Sequence, residues 1–169
     1  MKLLWFILLF SALISSASGQ VKINPEGKFF DYKGTKIYYE DKGSGAPLLL
    51  LHNFNGTADQ WRPYVEIYSR QFRTIAVDMI GHGRSDIYKK GDVNFRPADY
   101  AVILIALLDT LRLYHVNAIG GSTGGSVLLH LNTMQPDRFD HIITIGAQYY
   151  YSNFTRELIT SGEIGRAHV

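Results

Sequence analysis

One serine stands in a pattern that is typical of nucleophilic catalysis, the segment Gly120-Gly121-Ser122-Thr123-Gly124. Its Gly-x-Ser-x-Gly spacing follows a short apolar run and opens a helical pattern that continues to Met134. On a strand-to-helix turn this tight, small neighbours let the two elements approach and leave the central hydroxyl exposed at the edge of a sheet. The positive end of the following helix stabilises anionic charge nearby. The pattern therefore predicts that Ser122 is a nucleophile.

Two other interpretations of this glycine-rich segment are open. It could be a turn without catalytic meaning, since a bare five-residue match is common by chance. A phosphate-binding loop is disfavoured, because the segment has neither the lysine nor the G-x-G-x-x-G spacing that such loops use. The strand and the helix predicted on either side of the segment favour the catalytic interpretation.

Short apolar strands alternate with helices along the rest of the chain. We predict strands at residues 28–32, 36–40, 48–51, 74–77, 117–120 and 141–145, and helices at 57–70, 99–113 and 124–134. The first two strands flank Lys33-Gly34-Thr35 and form an antiparallel hairpin. The last four are short and mostly apolar, as expected for strands that are buried on both faces. The alternation predicts an α/β fold with a mostly parallel, doubly wound sheet and helices on both faces.

Two further motifs precede the serine, each directly after a predicted strand. His52-Asn53-Phe54 follows residues 48–51, and Gly81-His82-Gly83-Arg84-Ser85 follows residues 74–77. In this order with the Ser122 segment, they resemble the α/β-hydrolase superfamily over roughly residues 37–147. The resemblance implies the α/β-hydrolase fold, incomplete at its C-terminus, a small-molecule substrate and no cofactor.

The same resemblance implies a role for individual residues. Ser122 resembles the nucleophile, and the backbone amides of Phe54 and Thr123 resemble the oxyanion hole, which stabilises the negatively charged oxygen of the intermediate. Five other residues resemble positions that shape the loops around the site: His52, Gly81, Gly83, Gly120 and Gly124.

Two positions depart from the family pattern. Asn53 stands where the family usually has glycine. Asparagine tolerates unusual backbone angles better than most residues, so we expect the loop to keep its shape. Gly121 replaces the histidine that often precedes the nucleophile. A Gly-Gly-Ser sequence at this point also occurs among prolyl aminopeptidase-like members, which leaves a peptidase activity open as an alternative.

The catalytic acid and base are not evident in the sequence. In this superfamily the acid and then a histidine follow the nucleophile along the chain. The later acidic residues are Asp137, Asp140, Glu157 and Glu163, and the later histidines are His130, His141 and His168. None of them follows a later strand, where the family places the pair. We therefore expect both groups to be absent from this chain, which would be truncated at its C-terminus and catalytically negligible by itself.

The two ends of the chain are predicted to lie outside the hydrolase domain. Residues 1–19 combine Lys2, an apolar run and small residues before Gln20, which is the pattern of a signal peptide. We expect a secreted or periplasmic protein without stable membrane insertion after cleavage, with a signal anchor as the alternative. The domain is expected at 20–162, with a cap segment beginning near 148. Residues 163–169 resemble a translated sequencing-library adapter and are predicted to be a non-native tail.

Composition excludes several other functions. The net charge is +2, from 17 basic and 15 acidic side chains, which gives no electrostatic reason to expect a nucleic-acid partner. The chain has no cysteine, so disulfides, a thiol nucleophile and cysteine-based metal sites are excluded. The histidines do not show a metal-ligand spacing, and no metal site is predicted.

These observations predict a serine hydrolase that cleaves a small ester through an acyl-enzyme intermediate. A prolyl aminopeptidase-like peptidase is one alternative. A non-catalytic protein of the same fold, which binds a ligand without turnover, is the other. The sequence does not predict the oligomeric state.

Overall fold

The computed structural model describes residues 24, 26–87 and 96–148 of the chain. The predicted signal peptide, the segment from residue 149 onward in which the cap was expected, and the predicted tail at 163–169 lie outside the described residues. Glu157, Glu163 and His168 lie outside them as well. The described part contains the three motifs and all of the predicted strands and helices.

A single six-stranded sheet organises the described residues. Its strands are β1 (Gly27–Tyr32), β2 (Thr35–Lys42), β3 (Ala46–Leu51), β4 (Phe72–Val77), β5 (Val116–Gly121) and β6 (Phe139–Ile145). The order across the sheet is β1-β2-β4-β3-β5-β6. Strands β4, β3, β5 and β6 run parallel, and β2 pairs antiparallel with both β1 and β4. This topology confirms the mostly parallel sheet with an N-terminal antiparallel hairpin.

The hairpin turn is made by Lys33 and Gly34. Both residues have positive φ, 53° and 83°, and Tyr32 pairs directly with Thr35. Two-residue turns with two positive φ angles match the right-handed twist of antiparallel strands, which is why a Gly-containing pair is favoured here. The predicted hairpin is therefore confirmed.

Helices cover both faces of the sheet. They are the 3₁₀ helix η1 (Ala58–Trp61), α1 (Arg62–Tyr68), α2 (Pro97–Thr110), α3 (Thr123–Met134) and the 3₁₀ helix η2 (Pro136–Arg138). Alternate side chains of β3 face opposite ways: Leu49 and Leu51 pack with α2 and α3, whereas Leu48 and Leu50 pack with η1 and α1. The period-two alternation of a strand thus builds a core on each face, as the doubly wound fold requires.

The predicted helix at 57–70 is divided into two elements. Thr57 does cap it, since its Oγ1 accepts a hydrogen bond of 3.3 Å from the amide of Asp59, but the first turn is the 3₁₀ helix η1. The α-helical part begins at Arg62, with Pro63 in its first turn, and ends at Tyr68. Proline lacks an amide hydrogen and is tolerated only where no intrahelical bond is needed, which places the division at this point.

The helix predicted at 99–113 is observed as α2, which begins at Pro97 and ends at Thr110. One expectation about burial was wrong. The last strand was expected to be buried on both faces. Instead, β6 is the edge strand of the described sheet, and Ile143 and Ile145 are 54% and 58% exposed. An apolar pattern predicts a strand, but it does not reveal whether a second neighbour covers that strand.

Within the described ranges, the longest helices fall short of the length and apolarity that a membrane crossing would need.

Candidate active site

Ser122 lies on the turn that joins β5 to α3. Its backbone has φ 46° and ψ −111°, and its side chain is exposed at the N-terminus of α3. A residue with a Cβ atom rarely adopts such angles, and the strain costs about 1–3 kcal/mol. The amide of Ser122 donates to the carbonyl of Ile145 at 2.7 Å, which holds the turn against the end of β6.

The glycines around Ser122 are required by close backbone contacts. A Cβ atom on Gly120 would lie 2.6 Å from the carbonyl carbon of Gly124, and one on Gly124 would lie 2.5 Å from the carbonyl oxygen of Leu51. Neither distance is compatible with a side chain, so glycine is required at both positions. Gly124 also lies against the carbonyl of His52. The end of β3 therefore packs directly on the first turn of α3.

His52 is fully buried at this junction, and both of its ring nitrogens are engaged. Nε2 accepts a hydrogen bond of 3.0 Å from the amide of Met79, and Nδ1 lies 2.7 Å from the carbonyl oxygen of Asn53. Because an amide can only donate, Nε2 is unprotonated and Nδ1 carries the hydrogen. Burial lowers the pKa of His52. The imidazole is therefore neutral and joins the loops after β3 and β4, which leaves neither nitrogen free for general-base work.

The loop after β3 carries the amide of Phe54. Among the described residues this amide has no hydrogen-bond acceptor, while the Phe54 ring is 58% exposed and meets His82 edge-on with ring centroids 6.4 Å apart. The positive φ of this loop, 61°, belongs to Asn55 and not to Asn53. Asn53 anchors the loop through its backbone amide, which donates a hydrogen bond of 3.2 Å to Oε1 of Gln60.

The amide of Thr123 is the first of helix α3. The first amides of a helix have no carbonyl four residues earlier within the helix, so they are free to bind an anion. The close approach of Gly124 to the end of β3 brings this helix start next to the loop that carries Phe54. The structure thus brings Ser122, Thr123 and the Phe54 loop together.

The loop after β4 is built around the fully buried carboxylate of Asp78. Its Oδ1 accepts from the amide of Ala58, and its Oδ2 accepts from the amide and the Nε of Arg84, both at 2.8 Å. Burial acts to lower the pKa of the Arg84 guanidinium, but the hydrogen bonds and charge of Asp78 outweigh it and raise that pKa. Arg84 remains charged, and the pair locks the loop after β4 to the start of η1.

The two glycines of this loop are required for different structural reasons. Gly83 has φ 54°, and a Cβ atom there would overlap the Asp78 carboxylate, whereas Gly81 has φ 80° with open space around it. Gly83 is therefore needed for space and for conformation, and Gly81 for conformation alone. Both lie where the sequence predicted loop-shaping positions.

Strand β2 holds the same loop from its other side. Ser85 Oγ donates to the carbonyl of Asp78 and accepts from the amide of Tyr38 at 2.8 Å. The Arg84 guanidinium lies 4.0 Å from the centre of the Tyr38 ring and reaches the buried Glu40 at 3.4 Å. Burial and the Glu40 carboxylate raise the pKa of Tyr38 to about 12. The sequence alone does not indicate a role for Asp78 or Glu40. For Asp78, the available signal is an acidic residue directly after an apolar strand.

Residues 46–160 match the profile of the family described as alpha/beta hydrolase fold. The chain belongs to this family. It is 29% identical over 122 residues to the (E)-2-((N-methylformamido)methylene)succinate hydrolase of Acinetobacter baylyi, which covers 72% of this chain and 45% of that protein. It is 38% identical over 94 residues to a non-heme haloperoxidase of Rhodococcus erythropolis. This match covers 54% of this chain and 33% of that protein.

Solved hydrolase structures have the same fold. The structure titled Est816 as an N-acyl homoserine lactone degrading enzyme matches with a TM-score of 0.70 and 25% identity, covering 82% of this chain and 54% of that one. The α/β-hydrolase MGS-M2, from a Medee basin deep-sea metagenome library, matches with a TM-score of 0.75 and 20% identity, covering 82% and 51%. The chain therefore spans about half the length of these hydrolases, and less than half that of the two relatives above.

The acid and base candidates of the chain lie away from Ser122 wherever they are described. Asp140 pairs with His115 at 3.1 Å, and His141 contacts Asn117 at 2.9 Å, all at the starts of β5 and β6. Ser122 follows the opposite ends of these parallel strands. Asp137 lies exposed in η2, and His130 lies on α3, eight residues and about 12 Å along the helix from Ser122. That the catalytic acid and base are absent from the whole chain stays a prediction.

Within residues 26–87 and 96–148, no three histidine or acidic side chains are grouped so that they could hold a metal ion.

Proposed function

We propose that the full-length protein is a hydrolase that cleaves a small ester through an acyl-enzyme at Ser122. The observation that carries this proposal is the exposed hydroxyl of Ser122 on a strained turn, between a parallel strand and the start of a helix. Strain of this kind persists where the surrounding structure holds it, often at functional sites. The relatives support hydrolysis of small molecules, since one is named a hydrolase of a succinate derivative and another a lactone-degrading enzyme.

The proposed reaction begins when Ser122 Oγ attacks the carbonyl carbon of the ester. A C–O bond forms, the carbonyl electron pair moves to the oxygen, and the serine proton passes to a base. The amides of Phe54 and Thr123 stabilise the resulting oxyanion, and each such donor is typically worth about 10²–10³ in turnover. Collapse breaks the bond to the alcohol, which takes up the proton, and water then releases the acid. Base and acid are assigned to parts of the full-length protein outside the described residues.

Ser122 also limits the chemistry. A mechanism with a carboxylate nucleophile, as in dehalogenases and epoxide hydrolases, needs an acidic residue at the centre of the turn. This chain has serine there. Gly121 favours the peptidase alternative, because a Gly-Gly-Ser turn resembles prolyl aminopeptidase-like members, and an amide can be cleaved by the same acyl-enzyme route.

A substrate panel tests the proposal in the full-length protein. We expect p-nitrophenyl esters of short acids to be hydrolysed faster than N-terminal proline amides, and Ser122→Ala to lower turnover by about 10⁴-fold or more. Thr133→Ala is the control, because it removes an exposed hydroxyl from the same helix. Preference for proline amides would support the peptidase. Saturable binding of a substrate analogue without turnover of either class would support the binding protein.

Secretion or delivery to the periplasm through residues 1–19 is part of the same proposal. It rests on the signal-peptide pattern of the sequence. Fractionation of cells that express the full-length protein, with N-terminal sequencing of the product, tests it. A mature protein that begins at Gln20 is expected, and an intact Met1 in the cytoplasmic fraction would contradict it.

A further inference from the structure

Gln60 on η1 has a fixed orientation between the two loops of the site. Its Oε1 accepts a hydrogen bond of 3.2 Å from the amide of Asn53, one residue before Phe54. A backbone amide can only donate, so the oxygen of the Gln60 carboxamide must face it and the Nε2 group must point the other way. The two ends of the side chain therefore have different surroundings.

The Nε2 end of Gln60 lies beside the Ser122 turn. A Cβ atom on Gly121 would lie 3.7 Å from Nε2, which is ordinary van der Waals contact. Gly121 is bonded to Ser122, and consecutive Cα atoms are about 3.8 Å apart. Gly121 does not have a positive φ, so the backbone does not require glycine there. The absence of a side chain at Gly121 leaves space beside the turn, and the carboxamide of Gln60 borders that space.

Nε2 of Gln60 has no acceptor among the described residues, and the side chain is exposed. Its two N–H donors are therefore available next to the proposed nucleophile. An acyl group bonded to Ser122 Oγ would be attached one residue along the chain from the position that Nε2 borders. An oxygen atom close to the scissile carbonyl would give these donors a partner that a purely aliphatic acyl chain cannot.

We propose that Gln60 is a substrate-binding residue whose Nε2 donates a hydrogen bond to an oxygen in the acyl group of the substrate. This rests on the proposed function of Ser122. The substrate class is then an ester whose acyl chain carries an ether, hydroxyl or carbonyl oxygen within about two bonds of the scissile carbonyl. The Oε1 end of Gln60 anchors the Phe54 loop, which affects all esters alike.

A pair of isosteric substrates isolates the hydrogen bond in the full-length protein. p-Nitrophenyl methoxyacetate and p-nitrophenyl butyrate have acyl chains of equal length, and an ether oxygen replaces one methylene group in the first. The readout is the ratio of their kcat/KM values, in which any effect on folding or on the Phe54 loop cancels. We expect Gln60→Met to lower this ratio about 3- to 10-fold, the range typical of one neutral hydrogen bond.

Two further variants sharpen the test. Gln60→Glu keeps an oxygen acceptor for the Asn53 amide but loses the donor, so the ratio should fall at least as far, and it serves if Gln60→Met does not fold. Gln71→Met makes the same chemical change at an exposed glutamine just before β4. Gln71 lies at the N-terminal ends of the parallel strands, whereas Ser122 lies at their C-terminal ends, so this variant should leave the ratio unchanged.

The outcomes separate this inference from the proposed function. A ratio that stays within twofold of wild type in both Gln60 variants overturns the role of Gln60, while the loss of turnover in Ser122→Ala leaves the nucleophile in place. Turnover that survives Ser122→Ala overturns the nucleophile, and the inference fails with it.

Discussion

Ser122 and His52 show how single residues are specialised at this site. Ser122 keeps a strained backbone that presents its hydroxyl to solvent, and His52 is held neutral by burial with both nitrogens in hydrogen bonds. One histidine next to the site is thus committed to joining two loops. A base must come from another residue, which agrees with the order of nucleophile, acid and histidine in the family.

Relief of strain at Ser122 is measurable. Glycine has no Cβ atom and adopts φ 46°, ψ −111° more readily than alanine, so Ser122→Gly should be about 1 kcal/mol more stable than Ser122→Ala. Urea unfolding of the two full-length variants, both lacking the hydroxyl, provides the comparison. Equal stabilities would show that the turn is not strained.

His52 should make stability depend on pH. Burial lowers its pKa below the ordinary value of about 6.5, so the unfolded chain binds the proton more readily than the folded one. Stability is then fully present above about pH 6.5 and falls as the pH drops below it, by at most about 1.4 kcal/mol per pH unit from this group. Urea unfolding between pH 5 and 8 should show a shallower slope in His52→Gln. The exposed His141→Gln is the control, and an unchanged slope in His52→Gln would contradict the assignment.

At the scale of elements, three backbone segments meet within van der Waals distance. The end of β5, the start of α3 and the end of β3 approach one another at Gly120 and Gly124, where no side chain fits. The loops after β3 and β4 are then joined by His52 and by the hydrogen bond from the Ala58 amide to Asp78. These contacts give the site a rigid frame before any substrate is bound.

Gly120 and Gly121 form a matched pair for testing this frame. Gly120→Ala places a Cβ atom 2.6 Å from backbone atoms that cannot move independently, and should cost about 2 kcal/mol or more. Gly121→Ala meets only the Gln60 side chain at 3.7 Å and should stay within about 1 kcal/mol of wild type. Thermal unfolding of both full-length variants measures the difference. Similar losses in the two variants would mean that the close approach is absent.

Sequence patterns predicted the elements better than the contacts between them. The hairpin, the parallel strands and the turn at Ser122 follow from local periodicity and glycine positions, so they could be predicted. The division of the 57–70 helix and the exposure of Ile143 depend on neighbours that periodicity does not report. The contact of Gln60 with the Ser122 turn joins residues about 60 positions apart, and only the folded chain brings them together.

At the scale of the whole molecule, one edge of the described sheet is apolar and uncovered. β6 pairs with β5 on one side, and Ile143 and Ile145 lie exposed on it. Exposed apolar edge strands promote association between copies. The chain covers 45% of the succinate-derivative hydrolase of Acinetobacter baylyi and 54% of the lactone-degrading enzyme.

A single charge at this edge should reduce self-association of the 169-residue chain. Ile143→Lys places an ammonium group on β6 and should lower light scattering at a given concentration. Ile67→Lys makes the same change at a 60% exposed position on α1, away from β6, and is the control. Equal effects of the two substitutions would show that net charge, and not the β6 edge, governs association.

Covalent trapping of the nucleophile tests the central claim most directly. The full-length protein is treated with a fluorophosphonate probe, and the modified peptide is located by mass spectrometry. We predict one adduct on Ser122, its loss in Ser122→Ala, and its retention in Ser126→Ala, since Ser126 is buried one turn further along α3. No adduct on the wild-type protein, or an adduct that persists in Ser122→Ala, would contradict the assignment of Ser122 as the nucleophile.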